Sequence, residues 1–64
     1  MAISMKAARV NAGLTQIQVA EKIRKTKGTV ASYESYMTAP DITTAQALAK
    51  LYGMSINDIK WAKD

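Results

Sequence analysis

The sequence predicts an all-α fold, a compact bundle of five short helices. Three observations carry that expectation. A capping residue precedes each apolar stretch, apolar residues recur at helical spacing, and no segment alternates with period two for long enough to make a strand. At 64 residues the chain is expected to form one domain over 1–64, with a modest core and little stability to spare.

The elements follow in order. Ser4 caps a first helix over about 5–12, which turns Met5, Ala8 and Ala12 inward, and Gly13 stops it in the left-handed conformation that ends many helices. Leu14 seals the corner. Thr15 caps a second helix over about 16–23, and Gln18 completes a Thr-x-x-Gln capping box. Val19, Ala20 and Ile23 share its inward face. Thr26 caps a third helix over about 27–35, with Val30 and Tyr33 inward. Residues 36–40 form a loop that ends at Pro40. Asp41 caps a fourth helix over about 42–52, striped by Ile42, Ala45, Leu48, Ala49 and Tyr52 and ended by Gly53. Ser55 and Asp58 make a second capping box, opening a fifth helix over about 56–62 with Ile56 and Ile59 inward. The predicted core is Leu14, Val19, Ile23, Val30, Tyr33, Ile42, Leu48, Leu51, Met54, Ile56 and Ile59. Trp61 falls off the Ile56/Ile59 face, so it is a candidate for a protein interface, together with Met37 in the loop.

The charge is unevenly placed. The formal net charge is +4, and Lys22, Arg24, Lys25 and Lys27 put four of the nine basic residues into six positions. Two helices too short to be stable alone, a small residue (Ala20) where they cross, and positive charge around the second are what a helix-turn-helix reader of DNA requires. Other chemistries lack their parts. There is no His and no Cys, and the five acidic residues are scattered, with Asp41 and Asp58 read as caps. Neither a glycine-rich phosphate loop nor a metal-ligand spacing occurs. No enzyme activity, catalytic residue, metal or cofactor is expected. The sequence has no long apolar run and no signal-peptide pattern, which favours the cytoplasm over a membrane.

The run Arg9 … Gly13-Leu14-Thr15-Gln16 … Val19-Ala20 … Val30 … Glu34 … Pro40 resembles the phage repressor and Cro family of helix-turn-helix proteins, over residues 4 to 60 or so. The resemblance implies a lambda repressor-like DNA-binding domain with its motif at about 16–35, in the cytoplasm of a bacterium or phage-infected host. Gln16 matches a position that bonds a DNA phosphate and braces the recognition helix. Ala20 matches the small crossing residue. Arg9 and Glu34 match a pair that joins the first helix to the end of the third, so their side chains are expected to touch.

This chain departs from the family pattern in three places. Arg24 stands in the turn where the family usually has Gly, Lys25 where it has an apolar residue, and Tyr36 where a Gly follows the third helix. A left-handed Arg24 would be strained by roughly 1–2 kcal/mol, and the chain after the third helix is expected to take another path.

The resemblance places the third helix in the major groove of an operator, with Lys27, Gly28, Thr29, Ala31 and Ser32 at base-facing positions. Lys27 can donate to guanine O6 and N7, and Thr29 can hydrogen-bond or touch a thymine methyl. Gly28 and Ala31 offer little to read with, so DNA shape is expected to contribute to specificity. Gln16, Lys25, Ser35 and Thr38 are the phosphate-contact candidates. One such domain makes a small interface. Two copies on a two-fold operator, roughly 34 Å between half-sites, would enlarge it, either through the domain's own surface or as part of a longer repressor. The leading expectation is therefore a sequence-specific transcription regulator, repressor or Cro-like. The alternative is an interaction module of the same fold, such as an antirepressor or modulator that binds a partner repressor.

Overall fold

The computed structural model describes residues 1–63. Four α-helices form the body: α1 (Met5–Asn11), α2 (Gln16–Ile23), α3 (Lys27–Glu34) and α4 (Ile42–Leu51). The capping logic operates at every helix start. The side-chain oxygens of Ser4, Thr15, Thr26 and Asp41 accept from the backbone N–H of Ala7, Gln18, Thr29 and Thr44. At Thr15 the box is complete, because the Gln18 side chain takes the Thr15 amide at 2.9 Å in return. Each cap satisfies an amide that the first helical turn cannot, typically worth about 1 kcal/mol.

The fifth helix does not form. Only Ile56–Asp58 wind, as a single 3-10 turn. The Ser55 hydroxyl accepts from the Asn57 amide at 3.3 Å, and the Asp58 amide goes to the Ser55 carbonyl at 2.9 Å. The chain then extends as β2 (Ile59–Lys60) and pairs in parallel with β1 (Ile3–Ser4), Ile3 opposite Ile59 and Ser4 opposite Lys60. Two residues are too few for period-two alternation to register, and their pairing joins opposite ends of the chain. The fold is therefore a four-helix body tied by a two-stranded parallel clamp. Trp61 loses the face that set it apart. It is half-buried against the core, and its indole N–H donates to the Ile56 carbonyl at 2.8 Å.

Met5, Ala8, Val19, Ala20, Val30, Tyr33, Leu48, Ala49, Tyr52 and Ile59 form one buried cluster. Leu14, Ile23, Leu51, Met54 and Ile56 make its half-buried rim. Two expected inward residues point out. Ile42 is 65% exposed, because it opens α4 before the stripe at Ala45, Leu48 and Ala49 begins. Ala12 is exposed, because α1 ends at Asn11 and Ala12 only caps it.

All four helices end in the same hydrogen-bonded device. The left-handed residues are Gly13 (φ 74°), Arg24 (φ 58°), Tyr36 (φ 63°) and Gly53 (φ 67°). In each case the residue after the left-handed one donates back across the last turn: Leu14 to Arg9, Lys25 to Ala20, Met37 to Ser32 and Met54 to Ala49, at 2.9–3.2 Å. The left-handed residue itself donates one position later, to Val10, Glu21, Tyr33 and Lys50. These are complete Schellman motifs. The chain after α3 thus keeps the left-handed path despite its tyrosine, contrary to the expectation of a different one.

Candidate nucleic-acid interface

The α2–α3 unit is assembled by local rules. Ala20 is buried at 4% exposure in the same cluster as Val30, so α2 and α3 can approach at a residue with only a methyl group. Arg24 turns the chain at φ 58° and ψ 42°, within the ordinary left-handed region. Thr26 then restarts it, its Oγ accepting from the Thr29 amide at 3.2 Å and lying 3.1 Å from the Thr29 hydroxyl.

A buried ion pair fixes this unit against α1. The Arg9 guanidinium donates Nε to Glu34 Oε2 at 2.6 Å and Nη2 to Oε1 at 3.2 Å, so the two side chains meet through a bidentate contact. Both are nearly enclosed, at 11% and 6% side-chain exposure. Arg9 Nη1 also donates to the Leu14 carbonyl at 2.9 Å. Gln16 joins the same carboxylate, its amide nitrogen donating to Glu34 Oε1 at 3.0 Å. An amide nitrogen carries two donors, so this bond orients Gln16 and leaves one N–H for another acceptor. Tyr52 lies beside the pair. Burial, reinforced by the Glu34 charge and opposed by Arg9, pushes its phenol up to about 12.

Around this scaffold the structure leaves Lys25, Lys27 and Gly28 exposed and Thr29, Ala31 and Ser32 half-buried on α3. Ser35 and Thr38 are exposed just beyond it. The Ser35 hydroxyl donates to the Ser32 carbonyl at 3.2 Å, so it is held against the helix. Met37 is 80% exposed in the loop before α4. Lys25 sits near the start of α4. The Asp41 carboxyl is held below its usual value, chiefly by its hydrogen bonds to the Thr44 amide and hydroxyl, with the Lys25 charge adding to them. Lys22, Arg24, Lys25 and Lys27 are all exposed and form no ion pair among the described residues. Their positive field stands open to a polyanion.

The resemblance gave Gln16 a bracing role toward the third helix without naming Glu34 as its partner, and the Arg9–Leu14 bond was not expected. No spacing rule signals a contact across 18 positions. The Gly13 stop did mark the corner that brings the Leu14 carbonyl back to α1. Among the described residues no group of three potential metal ligands occurs, and no helix is long and apolar enough to cross a membrane.

Comparison with known proteins agrees with this geometry. The sequence profile of the helix-turn-helix family matches residues 5–59, from the start of α1 to the first residue of β2. No curated protein and no solved structure matches the chain. With its profile covering most of the chain and the motif built as α2, a left-handed turn and α3, the protein belongs to the phage repressor and Cro-type helix-turn-helix family of DNA-binding regulators.

Proposed function

We propose that the protein is a sequence-specific transcription regulator, repressor or Cro-like, that reads double-stranded DNA with α3 in the major groove. The observation that carries this reading is the braced α2–turn–α3 unit: Glu34 holds both Arg9 and Gln16, while the cations of the turn stay unpaired among the described residues. Lys27, Gly28, Thr29, Ala31 and Ser32 face the bases. Gln16, Lys25, Ser35 and Thr38 contact phosphates, Gln16 using the N–H that Glu34 does not take and Ser35 by turning its hydroxyl away from the Ser32 carbonyl. The Thr29 hydroxyl is shared with the Thr26 cap, which limits its hydrogen bonding to bases and leaves its methyl for thymine. Direct readout then rests mainly on Lys27 and Ser32, and DNA shape supplies the rest. Two copies bind a two-fold operator, and Met37 is a candidate for the contact between them.

A second reading follows from the same surface. The few free polar groups on α3 and the exposed Met37 also suit a module that binds a partner repressor instead of DNA.

Selection from a randomised duplex pool at two salt concentrations separates the two. The DNA reading expects an enriched two-fold motif and affinity that falls steeply with salt. Lys27→Ala should cost about 1–3 kcal/mol and relax preference at one base pair, whereas Gln16→Ala should weaken binding to all sequences alike. Weak, unselective binding, unchanged by these substitutions but accompanied by repressor binding that Met37→Ala abolishes, would establish the second reading.

A further inference from the structure

On α2 and α4 lies a groove of about 310 Å³ lined by Lys22, Ile23, Ala47, Lys50 and Leu51. We propose that it docks an acidic, aliphatic peptide segment of a partner protein. The apolar floor is built by Ile23 and Leu51, half-buried residues that pack on the core beneath, and by Ala47. Ala47 is exposed, and its single methyl leaves groove space that a longer side chain would fill. The rim is cationic. Lys22 lies in the last turn of α2 and Lys50 in the last turn of α4. Both are exposed, neither has an ion-pair partner among the described residues, and no carboxylate lines the groove.

This combination defines the occupant by complementarity. A leucine-sized side chain removes the apolar floor from water, and carboxylates beside it meet the two ammonium groups. The volume stands at the low end of ligand clefts, roughly 300–1,000 Å³, which suits one or two side chains of a peptide. A nucleic-acid backbone would meet the lysines but leave the apolar floor unfilled. An aliphatic ligand without charge would leave both ammonium groups without a partner. The proposal stands on the groove alone and does not depend on which DNA sequence α3 reads.

The test is a nuclear magnetic resonance titration of the intact, isotope-labelled protein with a short glutamate-rich helical peptide carrying two leucines four positions apart. Two control peptides replace the leucines by alanine or the glutamates by lysine. Shifts centred on Ile23, Ala47 and Leu51 are expected, with affinity reduced about tenfold or more by either control. Ala47→Gln, at an exposed position, should block the groove without unfolding the protein, and Lys22→Glu with Lys50→Glu should reverse the preference toward the lysine peptide. Shifts that centre on α3 would overturn the proposal, as would equal binding of the alanine peptide or no shift at about 1 mM peptide.

Discussion

The four helix ends divide into two pairs that share one geometry and differ in composition. α1 and α4 end on Gly13 and Gly53, where an added Cβ would find no atom within 4 Å. α2 and α3 end on Arg24 and Tyr36 at nearly the same positive φ. The glycine ends therefore need glycine for its backbone freedom and not for lack of room. The other pair holds the same conformation against a cost of roughly 1–2 kcal/mol per residue. Tyr36 offsets that cost by packing on the core and directing its hydroxyl to the Lys60 carbonyl at 3.4 Å. Arg24 is exposed and contributes charge to the turn. Both strained ends lie on the helix-turn-helix unit, one inside the turn and one just after α3.

The pin between the two kinds of end gives the largest expected effect. Arg9 bonds Leu14, next to the Gly13 end, and Glu34, two residues before Tyr36. Glu34→Ala leaves a nearly enclosed guanidinium without its carboxylate, and should lower stability by about 3 kcal/mol in urea unfolding. A loss near zero would mean that the helix ends hold their relative positions without the pin.

Tyr36 tests whether packing offsets strain. Tyr36→Ala removes the ring but keeps the Cβ at positive φ, and should cost about 2 kcal/mol. Tyr36→Gly relieves the strain as well. It should recover about 1 kcal/mol of that loss, since the freer unfolded chain absorbs part of the gain. Equal stability of the two variants would show that the left-handed residue is not strained.

The smallest effects come from exchanging the two kinds of end. Gly53→Ala should destabilise by about 1 kcal/mol with no clash to explain it. Arg24→Gly should stabilise by about 0.5 kcal/mol, the strain relief less the entropy of the unfolded chain. The same variant should weaken DNA binding at low salt if the Arg24 charge lies near phosphate. Thermal unfolding of both variants checks the pair, and changes of the same sign would break the comparison.

What was legible in the sequence was local. The caps at Ser4, Thr15, Thr26 and Asp41 and the stops at Gly13 and Gly53 act within three or four residues, so residue types and spacing sufficed to place four helices. The Arg9–Glu34 contact was expected only through family resemblance, since nothing nearby in the chain pairs them. The C-terminal segment was misread for a related reason. Ser55-Ile-Asn-Asp carries a helix-start pattern, but a cap only permits a helix and supplies little energy to extend one. Extension lost to burial of Ile59 and to backbone pairing with Ile3 and Ser4, partners that exist only once the ends of the chain have met.

By itself, then, the sequence determined four helix starts, the two glycine stops and the basic turn, because capping, periodicity and charge are properties of neighbours. The tertiary structure decided the parallel clamp, the seat of Trp61, the orientation of Gln16 by Glu34 and the groove between Lys22 and Lys50. Each of these depends on groups far apart in the chain, and their contacts form only after packing has met the entropy of closing long loops.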